Sequence, residues 1–281
     1  MMKTRIISGT VLGVITIAAG LAGGVFVGIA LLFCSLIGYA ELIRAFPAEG
    51  GRPAGGFGPA ECAGFAVTAL YYLLLVFGGS FAEADTLAAG AAVLLIIVLM
   101  AIFVFTFPRY QAGRIAAVFF SFVYCPVMMS FIYRARMLPH GEYVYALVFF
   151  CTWICDTCAY FTGRAFGKHK LAPVLSPKKT IEGSIGGVVG SAVFSLLLAV
   201  VLVSRYDEAP GSYIAVFALI GLVGGAVSEV GDLAASAIKR CYNIKDYGRL
   251  IPGHGGIMDR FDSVIFTAPL IYALAAAFLM R

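Results

Sequence analysis

Residues 213–263 read YIAVFALIGLVGGAVSEVGDLAASAIKRCYNIKDYGRLIPGHGGIMDRFDS. The apolar run 213–235 is long enough to cross a bilayer as a helix, for which about 20 residues suffice. Its end and the residues after it carry polar side chains at helical spacing, which places them on one stripe of the helix: Glu229, Asp232, Ser236 and Lys239. The pattern predicts a membrane helix with a polar face at one end.

A glycine-rich loop and two carboxylates follow this helix. Glycines at 253, 255 and 256 surround His254, and glycine lets a backbone take positive φ and approach a ligand closely. Asp259 and Asp262 come next and begin another apolar run, at the same expected membrane depth as Asp232. Three carboxylates so placed repel one another unless a cation joins them, and Mg²⁺ held by carboxylates and substrate phosphates meets that need. For His254, a role as ligand or acid and a role in shaping the loop are both open.

The composition indicates an integral membrane protein. The 281 residues are 61% hydrophobic and 12% charged, with a mean hydropathy of +0.96, whereas soluble domains are about 25% charged. We predict an all-α polytopic membrane protein of about nine transmembrane helices, a single membrane-embedded domain over residues 1–281 with no nucleic-acid partner. The apolar runs lie near residues 6–22, 25–44, 62–79, 88–107, 114–133, 143–163, 184–203, 213–235 and 263–280. The first is interpreted as a membrane helix, because a second follows at once.

The distribution of lysine and arginine between the loops predicts the orientation of the protein in the membrane. If the N-terminus is cytoplasmic, all but four of the 20 lysines and arginines fall on the inside, the exceptions being Arg134, Arg136, Arg205 and Arg281. The positive-inside rule then places the charged loops 164–183 and 239–262 on the cytoplasmic face of the membrane. Four other cations are interpreted as topology signals only: Arg44, Arg52, Arg109 and Arg114.

Residues 1–140 are predicted to be mainly scaffold and residues 141–281 to carry the active site. Asp156 lies inside the span 143–163 on a polar stripe with Thr152 and Tyr160. An ionisable residue within a span costs about 2.5–3.5 kcal/mol on insertion scales, so Asp156 is a functional candidate beside a wet cavity. The alternative is an aspartate that neighbouring helices satisfy by hydrogen bonds.

Residues 163–187, GRAFGKHKLAPVLSPKKTIEGSIGG, combine cations and hydroxyls with the start of the next helix. Such a combination favours phosphate binding, although a charged loop resting on lipid head groups is the alternative. Gly183, Gly186, Gly187 and Gly190 are assigned to close helix packing rather than to ligand contact. The cysteines of the span 143–163, Cys151, Cys155 and Cys158, are likewise assigned to helix packing rather than to a zinc or redox role.

Two stretches carry a family resemblance. Residues 236–262, SAIKRCYNIKDYGRLIPGHGGIMDRFD, resemble the signature of phosphatidate cytidylyltransferases, also called CDP-diacylglycerol synthases. Residues 156–183, DTCAYFTGRAFGKHKLAPVLSPKKTIEG, are similar to another stretch of that family. The chain departs from the pattern at Cys158, where a small residue such as glycine is expected, and at Ile181, where tryptophan is usual.

The resemblance implies a dimeric nine-helix enzyme in the lipid bilayer that converts CTP and phosphatidate to CDP-diacylglycerol and pyrophosphate, with Mg²⁺ alone or with a second cation. The catalytic residues assigned are Asp232, Lys239, Asp259 and Asp262, of which the three aspartates are also metal ligands. Substrate binding is assigned to Asp156, Ser176, Lys178, Lys179, Thr180, Glu182, Ser236, Arg240, Lys245, Asp246, His254, Gly255, Gly256 and Arg260. Which cations hold CTP and which hold the lipid is left open.

Two rival functions are considered. A CTP-dependent lipid kinase of the dolichol kinase kind would pass the γ-phosphate to an alcohol and would need a base for the hydroxyl, for which the sequence offers no compelling candidate. A transporter or channel would use Asp156 and Asp232 as ion sites. The basic, glycine-rich loops predicted on one face argue against a transmembrane path.

Overall fold

A computed structural model describes residues 2–47, 56–205, 212–253 and 255–279. In these ranges the secondary structure is helical apart from one short hairpin and an isolated bridge between Ile251 and Gly255. The helices are α1 (Met2–Ala22), α2 (Gly24–Ala45), α3 (Pro59–Phe77), α4 (Phe81–Phe105), α5 (Ala112–Arg136), α6 (Gly141–Phe166), α7 (Ile181–Arg205), α8 (Ser212–Cys241) and α9 (Met258–Leu279). The hairpin strands are β1 (Lys170–Ala172) and β2 (Ser176–Thr180).

The helices confirm the predicted fold class. Among the described residues, 8 helices, α2 to α9, are long and apolar enough to cross a membrane. The apolar part of α1 that can be described, Gly9–Ala22, is shorter. The protein is therefore an all-α polytopic membrane protein.

Helix α5 contains a π-helical turn, Val123–Val127, around Pro126. Proline has no backbone N–H for the i→i−4 ladder, and a π-helical turn is one way in which a helix accommodates this loss. The Pro126 carbonyl accepts a hydrogen bond from the Tyr72 hydroxyl of α3 at 3.1 Å, and Ser35 of α2 donates to the same hydroxyl at 2.8 Å. Apolar periodicity alone did not indicate this irregular turn.

The chain forms two compact units: Met1–Ser130 with Tyr242–Asp259, and Phe131–Cys241 with Arg260–Arg281. The single membrane-embedded domain over the whole chain stays a prediction. In the first unit, α2, α3 and α5 pack around the fully buried side chains of Tyr39, Tyr71, Tyr72 and Phe122. The four rings give this unit an aromatic core.

Arg114 corrects the interpretation of four arginines as topology signals only. Its Nε donates to Oε1 of Glu61 at 2.8 Å, and both side chains are buried. Its Nη1 donates to the carbonyls of Ile43, Phe46 and Pro47, at and just beyond the C-terminal end of α2. A cation there satisfies carbonyls that have no partner within the helix. Arg114 thus stabilises the end of α2.

In the second unit, glycines bring α6 and α7 into close contact. A Cβ atom at Gly183 would lie 2.8 Å from the Ala159 carbonyl oxygen, and one at Gly187 would lie 2.7 Å from that of Cys155. Only glycine fits at such distances, so the packing role predicted for these glycines is confirmed. All seven cysteines are free thiols.

The basic segment before α7 forms a β-hairpin where the sequence suggested a loop. β1 and β2 pair antiparallel, with Lys170 opposite Thr180 and Ala172 opposite Ser176. The His169 carbonyl also accepts from the Ile181 N–H at 3.0 Å, so the pairing continues into the first residue of α7. The hairpin holds Lys178 and Lys179 at a fixed position before the helix.

Candidate active site

A lysine and two carboxylates form the centre of the candidate site in the second unit. Glu229 and Asp232 lie one turn apart on α8, as the predicted polar stripe requires. The Lys179 ammonium, from β2, lies 2.6 Å from Glu229 Oε2 and 2.8 Å from Asp232 Oδ2. One cation therefore bridges two acids of the stripe.

This bridge keeps Lys179 protonated. Partial burial of Lys179 opposes its charged form, but the charges and hydrogen bonds of Asp232 and Glu229 outweigh that effect and raise the pKa of the ammonium above its usual range. Glu229 is only 6% exposed, and the Lys179 ammonium is the counter-charge beside its carboxylate. Burial of such a pair makes each member costly to remove alone.

Two further aspartates belong to the same electrostatic cluster. Asp156 of α6 interacts with Lys179, Asp232, Glu229 and Arg260. Asp262 of α9 interacts with Asp232, Lys239 and Arg260 and accepts the Ser263 N–H at 2.8 Å. Acids and cations from β2, α6, α8 and α9 thus share one region, although they are far apart in sequence.

A cavity of about 320 Å³ lies beside this cluster. Asp156 and Glu229 line it together with the basic side chains of Arg164, Lys178 and Lys179. Tyr160, Thr180 and Ser184 add hydroxyl groups to its wall. Asp156 is an exposed residue of this cavity wall. A cavity with several cations and hydroxyl groups suits a phosphate-bearing ligand.

Glu182 and Thr180 organise the hairpin. Glu182 accepts hydrogen bonds from the backbone N–H groups of Lys168 and His169, and its Oε1 lies 2.6 Å from His169 Nδ1. Thr180 Oγ1 accepts from the Gly183 N–H at 3.2 Å and so caps the start of α7. Glu182 is thereby occupied in holding the turn before β1, while its predicted substrate role stays untested.

The glycine loop lies in the first unit, and Asp259 orders it. Asp259 Oδ2 accepts the N–H groups of Tyr247 at 2.8 Å and Gly256 at 3.0 Å. Gly253 and Gly255 have φ of 77° and 85°, which confirms the predicted need for glycine at these positions. Lys245 and Asp246 are exposed in this loop, and His254 lies outside the described residues.

Comparisons with known proteins identify the family of this chain. The Cytidylyltransferase family matches residues 3–278. The chain belongs to this family.

Named relatives agree with the family match. The chain is 35% identical over 280 residues to a phosphatidate cytidylyltransferase of Brucella suis, covering 99% of this chain and 94% of the relative. It is 35% identical to the Bacillus subtilis enzyme of the same name, over 74% of this chain and 76% of the relative. A Synechocystis phosphatidate cytidylyltransferase is 48% identical over 48% of this chain, which spans 43% of that relative. The protein is thus a nucleotidyltransferase.

Other residues assigned to this cytidylyltransferase site have been placed, but their roles stay predictions. Ser236, Lys239 and Arg240 lie on α8 beyond Asp232, and Arg260 is exposed in the first turn of α9. Ser176 begins β2 opposite Ala172 and does not line the cavity. Gly256 is buried in the glycine loop.

The sequence assignments left out Glu41, which α2 carries into the first unit. Glu41 is 5% exposed, and its Oε2 accepts the Met258 N–H at 2.9 Å. Cβ atoms at Gly248 or Gly256 would collide with its carboxylate. Glu41 therefore supports the glycine loop of the cytidylyltransferase signature from a helix that the sequence had assigned to scaffold.

Glu41→Gln is expected to loosen this loop, because an amide nitrogen would replace one of the oxygens packed against it. Hydrogen bonds to a charged group are worth about 1.5–3 kcal/mol. We expect faster amide hydrogen exchange in peptides covering residues 242–258 and about tenfold lower activity, since small displacements of a catalytic segment are costly. Glu83→Gln, on the exposed start of α4, is the control. Wild-type exchange in Glu41→Gln would contradict the support role.

The described side chains provide carboxylates for a divalent cation but not a complete set of protein ligands. No group of three or more His, Cys, Asp or Glu side chains converges as a metal site within the described ranges. Asp232 and Asp262 do repel each other, and Mg²⁺ commonly uses one or two carboxylates together with substrate phosphates. Asp232 and Asp262 thus provide carboxylates of the kind such a site uses, although Asp232 Oδ2 also lies 2.8 Å from the Lys179 ammonium, and one Asp259 oxygen accepts two backbone N–H groups.

Proposed function

We propose that the protein is a membrane enzyme that transfers CMP from CTP to phosphatidate and releases CDP-diacylglycerol and pyrophosphate. The observation that carries the proposal is the Lys179 bridge to Glu229 and Asp232 beside a basic cavity, in a chain matched by the Cytidylyltransferase family over residues 3–278. The named relatives also favour cytidylyl transfer over the lipid kinase alternative.

The reaction needs charge neutralisation more than it needs a base. A phosphate oxygen of phosphatidate, already anionic, forms a bond to the α-phosphorus of CTP. The bond between the α-phosphorus and its bridging oxygen breaks, and the electron pair leaves with pyrophosphate. The barrier lies in bringing two polyanions together and in stabilising the leaving group, for which positioned cations are effective.

Different residues of this chain neutralise the phosphate charge and position the cations. Lys178 and Lys179 face the cavity from β2 and offset phosphate charge there. Lys239 and Arg260 act beside Asp262, where their charges already interact with its carboxylate. Glu229 and Asp232 fix the Lys179 ammonium, so that its position does not depend on the ligand. Preorganisation of this kind lowers the cost of charge rearrangement in the transition state.

Asp232 and Asp262 are proposed to hold Mg²⁺, with Asp259 as the third predicted ligand. When bound, the metal would supply positive charge to phosphate oxygens at the site. Two carboxylates suffice for this role if substrate oxygens complete the coordination.

The site is proposed to face the cytoplasm from a bacterial plasma membrane, where CTP is available. The distribution of lysine and arginine along the sequence supports this orientation. The acyl chains of phosphatidate would stay in the bilayer while its head group enters the site. A homodimer is retained as a prediction, to be checked by the mass of the protein in nanodiscs.

The proposal is tested with purified protein, CTP and Mg²⁺, with phosphatidate as the lipid in one assay and a long-chain polyprenyl alcohol in a second. We expect equimolar release of pyrophosphate and formation of CDP-diacylglycerol, and loss of both on chelation with EDTA, recovered by added Mg²⁺. Formation of CDP with a phosphorylated alcohol would instead identify the lipid kinase, and undiminished activity in EDTA would contradict the metal assignment. Inactivity with either lipid would favour transport.

A further inference from the structure

Arg164 is a cation of the cavity with no assigned role. It lies in the last turn of α6, is exposed, and lines the cavity together with Lys178. Its Nη1 donates to the Tyr160 hydroxyl, one turn earlier on α6, at 3.4 Å. This long hydrogen bond orients the guanidinium without neutralising it.

The cavity thus has two kinds of cation. Lys179 is held by Glu229 and Asp232. Neither Arg164 nor Lys178 forms an ion pair in the part of the chain that the structure describes. Their charges are therefore available to an anionic ligand, whereas that of Lys179 is already shared.

Apolar side chains flank this part of the cavity. On α6, Phe161 is 62% exposed beside Tyr160. On α7, Ile181 and Ile185 are 43% and 60% exposed on either side of the cavity-lining residues Gly183 and Ser184. Both helices are membrane-span candidates, so lipid chains are the natural neighbours of these exposed side chains.

An arginine beside exposed apolar side chains is better suited to phosphatidate than to CTP. A phosphomonoester on a diacylglycerol needs a cation at the head-group level and apolar surface beside it, whereas CTP is polar throughout. The guanidinium fork binds two phosphate oxygens at once, which a lysine cannot do. Its position at the end of a span also suits a long cationic side chain that reaches the interface.

We propose that Arg164, with Lys178 beside it, binds the phosphomonoester head group of phosphatidate, while the lipid's acyl chains lie along Phe161, Ile181 and Ile185. The proposal rests on the proposed function and assigns the lipid end of the site. Tyr160 is the positioning residue for the guanidinium.

The kinetic test compares Arg164→Ala and Arg164→Lys with wild-type protein in mixed micelles. We expect KM for phosphatidate, as surface concentration, to rise about 10- to 100-fold in Arg164→Ala and less in Arg164→Lys, which follows from losing one or both charge-assisted hydrogen bonds. The KM for CTP should change less than about twofold, because a residue that contacts only the lipid does not change the affinity of the enzyme for CTP. Arg205→Ala, at the far end of α7, is the matched control and should retain wild-type values.

A binding test without CTP separates this proposal from the reaction itself. Native mass spectrometry of protein in nanodiscs with equal phosphatidate and phosphatidylglycerol should show phosphatidate enriched on wild-type protein and not on Arg164→Ala. A raised KM for CTP with an unchanged KM for phosphatidate would overturn the proposal and assign Arg164 to the triphosphate. Equal retention of phosphatidate by both proteins would also overturn it. Failure of the proposed function would appear separately, as a wild-type protein that binds phosphatidate but forms no CDP-diacylglycerol.

Discussion

Asp262→Asn is expected to abolish cytidylyl transfer while the protein stays inserted and folded. The carboxylate of Asp262 interacts with one acidic residue, Asp232, and with two basic residues, Lys239 and Arg260. Its charge therefore affects both the acids and the cations of the site. Asparagine keeps the shape but removes the charge that would hold a cation and balance its neighbours. We expect activity to fall by at least about 10³-fold, which corresponds to about 4 kcal/mol of transition-state stabilisation.

The measurement is CDP-diacylglycerol formation, with size-exclusion profile and melting temperature recorded on the same preparation. Glu142→Gln is the matched acid-to-amide control, because Glu142 lies in the first turn of α6, with its carboxylate 4.0 Å from Arg136. Full activity in Asp262→Asn would rule out the metal and catalytic assignment of this residue. A melting temperature well below that of Glu142→Gln would show that the loss of activity reflects folding instead.

Lys179→Met is expected to lower both stability and activity. The substitution leaves Glu229 without its 2.6 Å partner in a place where the glutamate side chain is 7% exposed. Breaking a buried ion pair by removing one member costs about 3–5 kcal/mol. We expect the lower end of that range, because the Lys179 side chain is 21% exposed and that of Asp232 29% exposed. Activity should fall about 10²-fold through loss of a fixed cation beside the phosphates.

The double variant Lys179→Met/Glu229→Gln separates the two effects. Removing the orphaned charge should restore most of the lost melting temperature, because the uncharged pair no longer contains a buried unpaired carboxylate. Activity should stay low, since the cation is still missing. A double variant with wild-type activity would show that Lys179 serves stability alone.

The helices were predictable because membrane spans are long apolar runs along the chain. The run 213–235 is apolar over more than the thickness of a bilayer, and α8 follows it. The stripe of Glu229 and Asp232 was also predictable, because a helix repeats its faces every 3.6 residues. Positive φ at Gly253 and Gly255 follows from the same kind of local reasoning.

The β-hairpin was harder to predict from the sequence. Residues 170–180 include three lysines and two prolines, a composition that is poor in the β-branched and aromatic residues of typical strands. The pairing is held instead by the neighbouring turn, where Glu182 binds two backbone N–H groups. Local propensity was overridden by contacts made from the next helix.

The partners of the charged residues could not be read from the sequence. Arg114 was interpreted as a topology signal because it lies at the end of an apolar run, yet it is buried against Glu61, 53 residues away. Arg164 was passed over within a basic loop, since its place in the cavity depends on how α6 packs on α7.

The sequence by itself determined that this is a helical membrane protein, that one end of α8 carries acids and that glycines shape the loop before α9. Each of these follows from hydropathy, helical period or backbone freedom, which are properties of a short stretch. Only the tertiary structure decided that Lys179 bridges Glu229 and Asp232 and that Glu41 supports the signature loop across 217 residues of sequence. Periodicity reports the faces of one helix, whereas the partner of each face is set by how the helices pack.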